Sequence, residues 1–173
     1  MKSSKVQAIG LSLLISAFSL STSASAATAP SFNKLESLGS SPGETENSTG
    51  LTASVHEAKR DKSGSFLSIT WGIENNSGER VVLTWLSTTT YTYTGSSFSG
   101  VTVRSTETGI KHHPIMDSEG NCLCSGNTSS NLQTGIDHGD QISYWSTYSV
   151  PEDVDTVTVE IPGFEPIEDI PIS

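Results

Sequence analysis

Positive charge is scarce in this chain. Only 9 of its 173 residues are Lys or Arg, against 19 Asp and Glu, for a formal net charge of −10. A protein that works by neutralising phosphates needs the opposite sign, so nucleic acid and anionic membrane surfaces are poor partners, and no nucleic-acid partner is expected. Cysteine is scarcer, at two residues. The length makes that tolerable, because a chain of about 150 residues buries about 70% of its unfolded surface and supports a core without staples. No stretch repeats at a period of about 20 to 50 residues, which removes solenoids and propellers. Beyond the first residues there is no long apolar run and no sustained helical period. What remains is one modest domain with little charge and many Ser, Thr and Gly residues.

The N-terminus reads as an address. Lys2 and Lys5 form a charged start, Ala8 to Leu20 an apolar stretch, and Ala24-Ser25-Ala26 the small residues that a signal peptidase requires. Residues 1–26 are therefore expected to be a signal peptide, removed after Ala26, with the protein secreted or associated with a cell envelope. The apolar stretch falls short of the ~20 residues that span a bilayer, and no cysteine follows it. Neither a transmembrane nor a lipid anchor is expected in the mature chain. From Ala27 to Thr49 the composition turns to Ser, Gly, Pro, Glu and Asn, with Phe32, Leu35 and Leu38 the only large apolar residues. Such a segment buries too little surface to offset its ordering entropy, so residues 27–49 are expected to be a flexible leader and 50–173 the folded domain.

After Thr49 the apolar residues alternate. Leu51, Ala53 and Val55, then Leu67, Ile69, Trp71 and Ile73, then Val81, Leu83 and Trp85 occupy every second position, the period of a half-buried strand. Asp61-Lys62-Ser63-Gly64 and Asn75-Asn76-Ser77-Gly78 separate them as turn clusters and predict two hairpins. Tyr91 with Tyr93, Val101 with Val103, Ile142 with Tyr144 and Tyr148, and Val157, Val159 and Ile161 continue the pattern. About seven short antiparallel strands predict an all-β, immunoglobulin-like β-sandwich.

The run Leu67-Ser-Ile-Thr-Trp-Gly-Ile-Glu-Asn-Asn76, the segment Met116-Asp-Ser-Glu-Gly-Asn-Cys-Leu-Cys-Ser125, and the ending from Val157 to Phe164 and Asp169-Ile-Pro-Ile-Ser173 follow in order after a first strand Leu51 to His56. In this the chain resembles the immunoglobulin-like module of exported actinobacterial proteins, which often precedes an OmpA-like peptidoglycan-binding domain. The likeness extends from about Leu51 to Ser173. It implies a β-sandwich, an extracellular or envelope setting and an accessory role, and it supplies no catalytic residues. The chain stops where the OmpA-like domain would begin, so peptidoglycan anchoring is not carried over.

Chemistry concentrates between residues 112 and 124. Cys122 and Cys124, with one residue between them, are expected to close a small disulfide in an oxidising compartment. Free thiols or a redox role are the alternatives, although no helix N-terminus is there to lower a thiolate pKa. His112, His113, Cys122 and Cys124, with Met116 between, form a set of soft ligands suited to copper(I) or zinc. Against this, adjacent histidines on a strand point to opposite faces. His56-Glu57-Ala58-Lys59-Arg60 opens like a zinc-protease helix and lacks its second ligand, and Asp117-Ser118-Glu119-Gly120-Asn121 is a calcium-loop fragment better explained as a turn. Tyr91 and Tyr93, amid Thr and Ser, are a candidate surface for stacking on sugars or receiving a protein. Seven acids and no base lie between Pro151 and Ser173, read as a solvated edge strand kept from pairing by charge and proline. The leading expectation is a non-catalytic binding or accessory module for an extracellular protein or glycan, with no cofactor. A small copper- or zinc-binding protein and a hydrolase assembled only in space are the alternatives.

Overall fold

A computed structural model of the protein describes residues 35–87, 91–126 and 132–173. The expected signal peptide and the leader up to residue 34 lie outside the described residues. The strands are β1 (Gly39–Pro42), β2 (Leu51–Arg60), β3 (Leu67–Asn75), β4 (Val81–Val82), β5 (Thr102–Ser105), β6 (Lys111–His112), β7 (Gly135–Ile136), β8 (Gln141–Tyr148), β9 (Thr156–Glu160) and β10 (Ile167–Pro171). Two short 3-10 turns, Glu46–Ser48 and Thr84–Leu86, are the helical elements among the described residues. The fold is all-β and every pairing between strands is antiparallel.

Two four-stranded sheets, in the orders β1-β2-β3-β8 and β10-β9-β5-β6, share one hydrophobic core, consistent with a β-sandwich. The alternation decides which side chains enter it. Leu67, Ile69, Trp71 and Ile73 of β3 meet Val103 of β5, Val157 and Val159 of β9 and Ile167 and Ile170 of β10 in one cluster. At its centre Trp71 is fully buried, with its ring 4.8 Å from Tyr144 and 6.2 Å from Phe98, and its indole N–H donates to Ser146 Oγ at 3.2 Å. A single extra residue at His56 shifts the β2–β3 register, so the buried positions step from Val55 to Ala58. Such a bulge breaks the period of two without ending the strand.

Several expectations are corrected. Among the described residues there are ten strands rather than about seven, because short pieces without an alternation of their own also pair, β1 with β2, β7 with β4 and β10 with β9. Part of the expected leader is folded: β1 lines up Gly39–Pro42 against Val55–Thr52, and Ser48, fully buried, donates to the Gly163 carbonyl at 2.5 Å. The hairpin at Asp61–Gly64 forms, its Asp61 carboxylate accepting from the Ser63 and Phe66 amides. The second hairpin does not. The side-chain amide of buried Asn75 donates to the Glu79 and Ile136 carbonyls at 2.6 and 2.9 Å, which draws β4 onto β7 while β8 takes the edge of β3. Trp85 lies in a 3-10 turn rather than a strand, stacked obliquely 6.0 Å from Phe164.

A Tyr–His cleft beside a buffered carboxylate

The β5–β6 hairpin sets up the candidate site. Gly109 at φ 71° allows the reversal, and the pairing places Lys111 opposite Arg104 and His112 opposite the buried Val103. Beyond β6 the chain crosses at Pro114 to the other sheet, where the Ile115 amide donates to the Thr147 carbonyl of β8 at 2.9 Å. The segment from Tyr91 to Thr94 is pinned over this crossing. Tyr93 donates its hydroxyl to the Pro114 carbonyl at 2.7 Å, and Thr94 donates through its amide and hydroxyl to the Gly120 and Glu119 carbonyls. Tyr91 stands edge-on to the His113 ring at 4.7 Å and to Tyr93 at 6.3 Å. An open cleft of about 310 Å³ results, with Tyr91, Tyr93, Lys111 and His113 among its lining. It adjoins a second cleft, of about 250 Å³, through Tyr91 and Tyr93, and a third, of about 260 Å³, through Lys111 and His113.

The electrostatics centre on Glu160. Its carboxylate accepts from Arg104 Nε and Nη2 at 2.8 and 2.6 Å, from Thr102 Oγ1 at 3.1 Å, and pairs with Lys111 Nζ at 2.5 Å. Partial burial pushes its pKa up, yet the bonds from Lys111 and Arg104 outweigh that and hold it below the usual carboxylate value. Burial, helped by Lys111 and opposed by Glu160, lowers the His113 pKa, so the ring is neutral at pH 7. Burial and the neighbouring Tyr91 push the Tyr93 hydroxyl up to about 12. His112 Nε2 and His113 Nδ1 are enclosed and have no hydrogen-bond partner among the described residues, leaving polar capacity unmet in the wall of the cleft.

The expected metal set is not assembled. Cys122 and Cys124 lie at disulfide-bonding distance, with their Cα atoms 5.2 Å apart, and both are buried, so the sulfurs are spent on each other. Among the described residues no group of three or more His, Cys, Asp or Glu side chains is placed to share an ion. His112 ends β6 opposite buried Val103 and His113 follows it outside the strand; both line the cleft, away from the joined sulfurs of Cys122 and Cys124. The cysteine segment instead extends the first sheet: the Leu123 amide donates to the Ile115 carbonyl, the Leu123 carbonyl accepts from the Thr147 amide, and the Ser125 amide donates to the Trp145 carbonyl. Asp117 caps its own turn by accepting from the Glu119 and Asn121 amides, as a turn reading requires.

Tyr91 and Tyr93 were singled out by sequence, and the structure sets Tyr91 against the His113 ring with Tyr93 beside Tyr91 in the same cleft. It does so from irregular chain, since residues 91–93 form no strand. Lys111, Arg104 and Glu160 were missed. Glu160 in particular belongs to the inner strand β9 and is paired with two cations, unlike the solvated edge assumed for the acidic tail. The available signal was the Gly109 turn between Arg104 and Lys111, which sets two cations side by side. No helix among the described residues is long and apolar enough to cross a membrane. No known protein family, curated protein or solved structure matches the chain.

Proposed function

We propose that this protein is a secreted, non-catalytic binding module, and that the Tyr91–His113 cleft holds a glycan. One observation carries the reading: Tyr91 is 49% exposed at the mouth of an open cleft, braced edge-on by His113, beside a second cleft rich in hydroxyls. A braced aromatic ring gives a sugar an apolar face at little entropic cost, while nearby Ser and Thr hydroxyls match its polar edge. Several reactive groups around the cleft are committed to other contacts. Tyr93 is bonded to Pro114, Glu160 is held ionised between Lys111 and Arg104, and the cysteines are joined. The secretory pattern of residues 1–26 and the resemblance to exported immunoglobulin-like modules support an extracellular setting.

The test is retention of the secreted protein on a panel of immobilised polysaccharides. Wild type is expected to be retained by at least one of them, and Tyr91→Ala to lose about tenfold in affinity, the equivalent of ~1.4 kcal/mol. Because Tyr91 is surface-exposed, its melting temperature should not change. Equal retention of wild type and Tyr91→Ala would remove the cleft from the account.

A further inference from the structure

We propose that the glycan is acidic: an oligosaccharide bearing carboxylates, one of which meets Lys111 while the adjoining sugar ring lies on Tyr91. This rests on the glycan-binding reading and adds the charge of the ligand.

The molecule carries more than twice as many acids as bases, yet the lining of the Tyr91–His113 cleft includes Lys111, His112 and His113 and no carboxylate. Behind it Arg104 and Lys111 share the single carboxylate of Glu160, so this cluster keeps one positive charge in excess. The Lys111 side chain is 41% exposed, and an ammonium has three donors, of which Glu160 takes one. A carboxylate arriving from the cleft therefore finds a charged donor already held in place.

The surroundings also fix a direction. Past Lys111, in the third cleft, stand Glu160 and Glu44, which repel an anion. On the opposite side, past Tyr91 and Tyr93, the second cleft carries no charge: the exposed Ser87 and Thr92 stand at its surface, and the buried Ser97 and Ser99 line it from within. An anionic ligand is thus anchored at Lys111 and extends over Tyr91 toward the hydroxyls. The polar side chains along that path suit the hydroxyls of successive sugars. An acidic peptide would match the charge, but it would find few of the apolar side-chain pockets that peptide recognition uses.

The experiment titrates the secreted protein calorimetrically with tetrasaccharides of galacturonate, alginate and hyaluronan, with neutral cello- and maltotetraose, and with oligoglutamate. At least one acidic saccharide is expected to bind about tenfold or more tightly than both neutral ones, and added salt should weaken it. Lys111→Gln should lose about tenfold in affinity for that saccharide at unchanged melting temperature, and Lys111→Arg should recover most of it. Should Lys111→Gln fail to fold, the salt dependence and the Lys111→Arg variant still decide. Neutral saccharides binding as tightly as acidic ones would overturn the charge assignment and leave the glycan reading standing. Binding of oligoglutamate alone, or of no saccharide at all, would overturn both.

Discussion

In the first sheet, β2 and β3 run for ten and nine residues, and regular alternation carries Leu67, Ile69, Trp71 and Ile73 into the core. Across residues 91–126 the longest strand has four residues, and the chain is held by isolated bridges, side-chain bonds to carbonyls and one disulfide. Both regions are ordered, by different means. Burial on a periodic surface is redundant, since each strand contributes several apolar side chains, and it leaves little free to meet a ligand. Pinning by single polar contacts leaves rings and charges at the surface, where Tyr91, His113 and Lys111 form the cleft. The regular region supplies stability and the irregular one presents chemistry, a division common to scaffolds that carry binding loops.

The largest effect that could break this division is at Trp71. Its removal deletes the centre of the Trp71–Tyr144–Phe98 cluster and leaves buried Ser146 Oγ without its indole donor. Trp71→Ala should cost about 3 to 5 kcal/mol, a large share of a usual margin of about 5 to 15. Urea unfolding measures it. A loss below about 1 kcal/mol would mean that the regular sheet is not where stability resides.

A much smaller effect is expected from the cysteines. Joining residues two apart closes a ring so short that loop-closure entropy accounts for only about 1.6 kcal/mol, against about 3 for a 15-residue loop. The double variant Cys122→Ala, Cys124→Ala should keep the fold, lose less than about 2 kcal/mol and speed hydrogen exchange at the Leu123 and Ser125 amides, which pair the cysteine segment with its neighbours. Faster exchange throughout β3 would show that the two regions are not separable.

The same division explains how much was legible in the sequence. Period-two alternation identified β2, β3, β8 and β9, because in those strands burial alone selects the residue types. It overran at Trp85, where an apolar side chain reaches the core side from a 3-10 turn, and it missed β1, whose Gly-Ser-Ser-Pro contributes backbone pairing rather than apolar side chains. The second hairpin misled for a related reason: the Asn75 turn chemistry is present, and the same side chain ties the turn to Ile136 instead of folding β4 back on β3. In the site, the Tyr91–Tyr93 pair was visible as a local pattern. Glu160 was not, since its significance lies in Arg104 and Lys111, 56 and 49 residues away in the chain. Polar contacts of that span leave no periodicity to read.

The smallest effect concerns His113 and sharpens the comparison by asking whether the cleft has any share in stability. Its neighbours are Tyr91, edge-on at 4.7 Å, and the charges of Lys111 and Glu160. Burial and Lys111 disfavour the imidazolium more than Glu160 favours it, so the folded-state pKa lies below 6.5. The unfolded chain therefore takes up this proton first as pH falls, and stability drops from about pH 6.5 down to the folded-state pKa, below which both states are protonated and the loss levels off. Above pH 6.5 the group contributes no pH dependence. His113→Gln removes this contribution, so the difference between wild-type and variant unfolding free energies, followed from pH 8 to pH 5, should be flat at the upper end and change in favour of the variant below about 6.5. A difference that stays constant across the whole range would place His113 in solvent. A difference that moves in favour of the wild type on acidification would mean that Glu160, and not burial or Lys111, dominates the environment of the ring.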